Sequence, residues 1–168
     1  MCPTAIWNQT FTILAGITGS RAATPILLNY PYGIYFDGYQ NLYVADTTNH
    51  RIQYFPRGST TGTTIAGSSS GTAGSSLSEL NNPYYVHIDP NRLMYILDTS
   101  NYRVLKWQLN EPLGFVVAGG NGNGAQLTQI GVSYSMFVDS NGNVYVSESS
   151  NHRVTFWSTT NSSYGVLV

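Results

Sequence analysis

Charge is scarce in this chain of 168 residues: Asp, Glu, Lys and Arg together make up 9% of it, where an average domain carries about 25%. Eight acidic side chains face seven basic ones, and Lys106 is the only lysine. That balance gives no electrostatic reason to expect a nucleic-acid backbone or an anionic membrane as partner. Cys2 is the only cysteine, so an internal disulfide is excluded. No apolar run reaches 18 residues, which excludes a membrane-spanning helix. The first ten residues, MCPTAIWNQT, lack the basic and long apolar regions of a signal peptide. Strong helix formers are few, whereas Tyr, Val, Ile and Thr are plentiful and favour strands. The composition predicts an all-β protein whose polar surface is built from Ser, Thr, Asn, Gln and Gly.

The chain repeats itself. LYVADTTNHRIQYF (42–55) returns as MYILDTSNYRVLKW (94–107) and VYVSESSNHRVTFW (144–157). YGIYFD (32–37) matches YYVHID (84–89) and YSMFVD (134–139), at shifts of 52 and then 50 residues. Leu28, Leu80 and Ile130 precede these blocks at equal distances, and TTIAG (63–67) returns as FVVAGG (115–120). Each unit predicts four short strands, which in unit one are 34–37, 42–45, 51–55 and 63–66. The second strand is apolar at successive positions, as expected of a sheet covered on both faces. Sheets of four strands stacked face to face and repeated radially make a β-propeller.

The pattern of strand, acidic residue, small polar residues, Asn-His-Arg and Ile/Val, with a later AG and L…P, resembles the NHL repeat. The resemblance runs from about residue 6 to residue 168, with departures at Tyr102, Glu148 and Ser133. The expected architecture is a partial NHL-type β-propeller, with blades at 31–67, 83–120 and 133–168. Residues 6–16 are expected to form one outer strand of a preceding blade. The resemblance implies a ring of six blades, closed by the remaining blades of a longer chain or by a second copy.

Asp46, His50 and Arg51 are residue types that enzymes use, yet two of the three columns they start recur in every unit. The acidic columns are Asp37, Asp89, Asp139 and Asp46, Asp98, Glu148; the basic one is Arg51, Arg103, Arg153. A catalytic residue is needed once, so repetition points to structure. The carboxylates suit turn N–H groups, and the arginines can pair with them or with carbonyls of the adjoining blade. Asn49, Asn101 and Asn151 are expected to take the left-handed conformation of the turn. Phe55, Trp107 and Trp157 are expected to pack between blades.

His50 and His152 fall on the first and third blades, too far apart to share a metal. No ligand spacing for zinc or calcium occurs, and no cofactor is expected. The loops joining strands two and three, with segments 17–30, 67–82 and 120–132, should share one rim, which would carry His50, Tyr102 and His152. Binding residues concentrate on such loops. The expected function is a non-catalytic scaffold that binds a protein, peptide or glycan on this rim. The alternatives are part of a metal-dependent lyase or hydrolase whose ligands lie in other blades, and an RNA-binding NHL propeller. Asn8 and Asn161 begin N-glycosylation sequons, which favour an extracellular setting.

Overall fold

The computed structural model describes residues 11–168, without the side chains of 161–163. It contains twelve strands in three antiparallel sheets of four. The first sheet holds β1 (Pro31–Phe36), β2 (Leu42–Asp46), β3 (Arg51–Phe55) and β4 (Thr63–Gly67). The second holds β5 (Pro83–Ile88), β6 (Leu93–Asp98), β7 (Arg103–Gln108) and β8 (Phe115–Gly119). The third holds β9 (Ser133–Val138), β10 (Val144–Glu148), β11 (Arg153–Ser158) and β12 (Asn161–Leu167). Within every sheet the strands lie in chain order. The sheets stack as three blades of a partial β-propeller.

Side chains alternate between the two faces of a strand, and both faces of the middle blade are covered, which is why β6 reads as one apolar run. Between blades one and two, Tyr43, Ala45 and Ile52 meet Val86, Ile88, Met94, Ile96 and Trp107. Between blades two and three the same positions recur: Tyr95, Leu97 and Val104 meet Met136, Val138, Val144, Val146 and Trp157. Leu80 and Ile130 are fully buried, one in each of these layers. Trp107 and Trp157 are buried with them, one in each layer, whereas Phe55, expected to pack between blades, is buried on the outward face of blade one, where no preceding blade is described.

The first strands of successive blades, β1, β5 and β9, lie beside one another and form the inner wall. Gly33 in β1 has no room for a side chain there, because a Cβ would meet the backbone of Tyr84 and Tyr85.

One expected element differs. Residues 11–16 form no strand, and residues 6–10 lie outside the described residues. FTILAG matches a fourth-strand sequence, but a strand exists only by pairing, and each of the three sheets already has four members. Instead Ala15, with Leu28, packs against Leu42, Val44 and Phe55 on the outward face of blade one. The outward face of blade three is barer, with Phe137 64% and Val154 41% exposed.

Candidate functional site

The turn after the second strand is built around its carboxylate. In blade one, Arg51 Nε donates to Asp46 Oδ2 at 2.8 Å and Asn49 Nδ2 donates to the same oxygen at 2.9 Å. The backbone N–H of Asn29 donates to Oδ1 at 2.7 Å. The other end of the Arg51 guanidinium reaches the carbonyls of Thr24 and Leu27 at 2.7 and 3.1 Å. Blade two repeats the arrangement with Asp98, Arg103, Asn101 and the N–H of Asn81, and its arginine takes the carbonyls of Ser75, Ser76 and Glu79. Blade three does so with Glu148, Arg153, Asn151 and the N–H of Gly131. In the first two pairs both charges are withdrawn from water, in the third Arg153 stays partly exposed, and every carboxylate oxygen faces a donor, the condition under which a buried ion pair is tolerated. The arginines therefore tie down the connection leading into their own blade, rather than carbonyls of the adjoining one.

These turns also lock neighbouring blades. Thr47 Oγ1 donates to the Pro83 carbonyl at 2.6 Å, and Thr99 Oγ1 to that of Ser133 at 2.9 Å. The left-handed residue is not the asparagine, whose amide is held by the carboxylate. It is the next residue: His50, Tyr102 and His152 all have φ of 53°. Its carbonyl lies against Gly67 in blade one and Gly119 in blade two, where a Cβ would collide with it, which explains the repeated AG.

As a result, little of the turn is free. Thr47 and Asn49 are buried, and His50 is half-buried with Nδ1 accepting the Asn82 N–H at 3.0 Å. Burial pushes the His50 pKa down, against the pull of Asp98 and Asp46. Thr48 and His152 are exposed, and Tyr102 is half-buried.

The more accessible feature at this end of the blades lies on the inner wall. Tyr32, Tyr84 and Tyr134 occupy equivalent positions near the ends of β1, β5 and β9 that pair with Asp46, Asp98 and Glu148. Their rings run in a row, with centroids 4.5 Å apart from Tyr32 to Tyr84 and 4.9 Å from Tyr84 to Tyr134. Tyr32 and Tyr134 are 60% and 53% exposed. The signal was present in the sequence as the second residue of PYGIYF, PYYVHI and SYSMFV, a Tyr column inside the repeat.

At the opposite end, Asp37 and its counterparts close the turns between first and second strands. Asp37 accepts from the N–H groups of Tyr39 and Asn41, the Asn41 amide and the Tyr43 hydroxyl. Burial opposes ionisation, but these donors outweigh it and hold the Asp37 pKa below the usual carboxylate range. Tyr43 is pushed up to about 12, mainly by burial and then by Asp37. Among the described residues no group of three His, Cys, Asp or Glu is placed to hold a metal ion. Of the sequons, Asn8 lies outside the described residues and Asn161 opens β12.

The architecture defines the class: a protein of stacked four-stranded blades, a β-propeller. No family model matches the sequence, and no curated protein matches it. Among solved structures it is similar to a Bacteroides thetaiotaomicron protein of unknown function, at 19% identity and a TM-score of 0.63, over 76% of this chain and 34% of that one. It is similar to a chain of a nidogen/laminin complex at 17% identity and a TM-score of 0.63, over 84% and 49%. A streptogramin B lyase matches at 12% identity and a TM-score of 0.55, over 82% and 39%. The chain thus spans less than half the length of each. These likenesses are of fold alone, and the fold hosts both enzymes and binding proteins.

Proposed function

We propose that this chain is the NHL-type part of a larger propeller, six blades in all, and acts as a non-catalytic scaffold that binds a protein, peptide or glycan. The binding surface is the clasp end of the blades. The row of Tyr32, Tyr84 and Tyr134 carries the reading. Exposed aromatic rings with hydroxyl tips offer stacking area and hydrogen bonds together, at low cost in side-chain entropy. Around the row stand Thr48, His152 and connections with almost no charge: segment 120–132 has none, and 67–82 has only Glu79. Such a surface suits uncharged polar partners better than phosphates. The nidogen/laminin neighbour is a propeller-like chain seen in a protein complex, a precedent for this use of the fold.

Wild-type protein and the Tyr32→Ser/Tyr84→Ser/Tyr134→Ser variant, applied to the same peptide and glycan arrays, test the assignment. The wild type should retain a defined subset of probes, and the folded triple variant should lose them by tenfold or more. Probes bound equally by both proteins would place recognition elsewhere.

A further inference from the structure

The two open faces of the blade stack repeat the two sides of an inner joint. Where blade one packs on blade two it carries an aromatic cluster. Tyr43 lies 6.4 Å from Tyr35 and 5.2 Å from Tyr54, centroid to centroid. Blade three carries the same cluster on its open face, with Tyr145 6.0 Å from Phe137 and 5.1 Å from Phe156. Val154 is exposed beside it, whereas its counterpart Ile52 is fully buried. Blade one shows the matching contrast on its outward face. Val86 and Ile88 of blade two are buried against blade one, but their counterparts Ile34 and Phe36 are 57% and 47% exposed.

The polar groups correspond as well. In the first joint Thr47 donates to the Pro83 carbonyl and His50 accepts the Asn82 N–H. On the outward face of blade one the equivalent groups are the Pro31 carbonyl and the Tyr30 N–H, and Tyr30 has the same φ of 48° as Asn82. On the open face of blade three the counterparts of Thr47 and His50 are Ser149 and His152, both exposed. Both halves of one more joint are thus present in the chain, at opposite ends of the stack.

We propose that a second copy of this chain makes that joint, blade three of each copy stacking on blade one of the other. The pairing rests on the six-blade reading above. Three blades turn through half of such a ring, so a two-fold axis closes it and leaves no face open. Ser149 Oγ would turn from the Val132 carbonyl to Pro31 of the other copy, and His152 would accept the Tyr30 N–H. Phe137, Tyr145 and Val154 would cover Ile34 and Phe36.

One segment has to give way. In the inner joints the place beside Leu80 or Ile130 belongs to the fourth strand of the preceding blade, through Ala66 or Ala118. Ala15 holds that place beside Leu28, and β12 of the other copy would claim it. Residues 11–16 form no strand, and a cavity of about 150 Å³ remains between Thr12, Ile13 and Leu14 on one side and Phe36, Leu42 and Phe55 on the other. Because β12 is held by pairing with β11, the loosely packed segment is the one displaced. It acts as a cover that competes with the second copy.

Sedimentation velocity of the chain across a hundredfold range of concentration tests the pairing. The expected species is a dimer that dissociates on dilution. Phe36→Asp and Val154→Asp, both at exposed positions, should each weaken it at least tenfold without altering the circular dichroism. Mixing the two variants should restore association, because one of the two joints then brings unaltered faces together. Removal of residues 1–16 should tighten the dimer severalfold. A monomer at every concentration would overturn the second copy while leaving the six-blade ring to further blades. An assembly of three or more chains would overturn the six-blade reading too. A dimer indifferent to either substitution, or one lost with residues 1–16, would place the interface elsewhere and overturn the joint.

Discussion

The second and third clasps contain the same chemistry in different surroundings. Around Asp98 and Arg103 the ion pair is sealed, with the next blade bonded to it through Thr99 and Ser133. Around Glu148 and Arg153 no blade follows in the described chain. Ser149, standing where Thr99 stands, turns back to the carbonyl of Val132 in its own blade. Arg153 Nε sits 3.0 Å from Glu148 Oε2 but is misaligned for a hydrogen bond, and Thr155 Oγ1 supplies a donor to the other oxygen at 2.8 Å. The clasp is therefore a local device that ties a turn to its own entry segment, and its tightness is set by what stacks on it.

That difference is broken most strongly by removing the arginines. Arg103→Met leaves Asp98 buried without its partner and frees three carbonyls, and should cost about 3–5 kcal/mol. Arg153→Met acts where water already reaches the pair and Thr155 and Asn151 remain as donors, so about 1–3 kcal/mol is expected. Urea denaturation of the two variants measures the gap. Equal losses would mean that the covering blade contributes nothing to the second clasp.

Most of this architecture was legible as columns. Residues such as Asp46, Asp98 and Glu148 could be read as structural because a repeat multiplies framework residues and not catalytic ones, and the observed hydrogen bonds fit that role. Three features were not legible, each for a physical reason. FTILAG looks like a fourth strand, but pairing is a tertiary event that the local sequence does not report. Asn49 has the intrinsic preference for a left-handed turn, yet its amide is engaged by Asp46, so the strain moves to His50. His50 itself appeared free for recognition; the approach of Asn82 from the next blade, 32 residues away, makes it an interblade acceptor.

A subtler test uses the hydroxyls that cross between blades. Thr99→Val keeps the shape and removes the bond to the Ser133 carbonyl, which should cost about 1–2 kcal/mol because that buried acceptor is left bare. Ser149→Ala removes an exposed bond within one blade and should stay within about 0.5 kcal/mol of wild type. If both variants melt at the same temperature, the threonine column is not what couples the blades.

The smallest effect distinguishes the two interblade layers by pH. His50 lies in the first layer and Tyr102 takes its place in the second. Neutral His50 Nδ1 accepts the Asn82 N–H, and burial holds the folded-state pKa below that of an unfolded histidine, about 6.5. As pH falls through that ordinary value, the unfolded chain binds the proton first. Stability is therefore full above it and declines as pH falls, levelling once the folded pKa is passed. His87, whose pKa is also lowered by burial, adds to the same slope. His50→Tyr installs the residue that blade two already carries at φ 53° and leaves His87 in place. The variant should start less stable at pH 7.5, for want of the acceptor, yet lose less Tm than the wild type on the way to pH 5. A decline as steep as that of the wild type would show that acid acts through His87 or the carboxylates, and not through the joint between the first two blades.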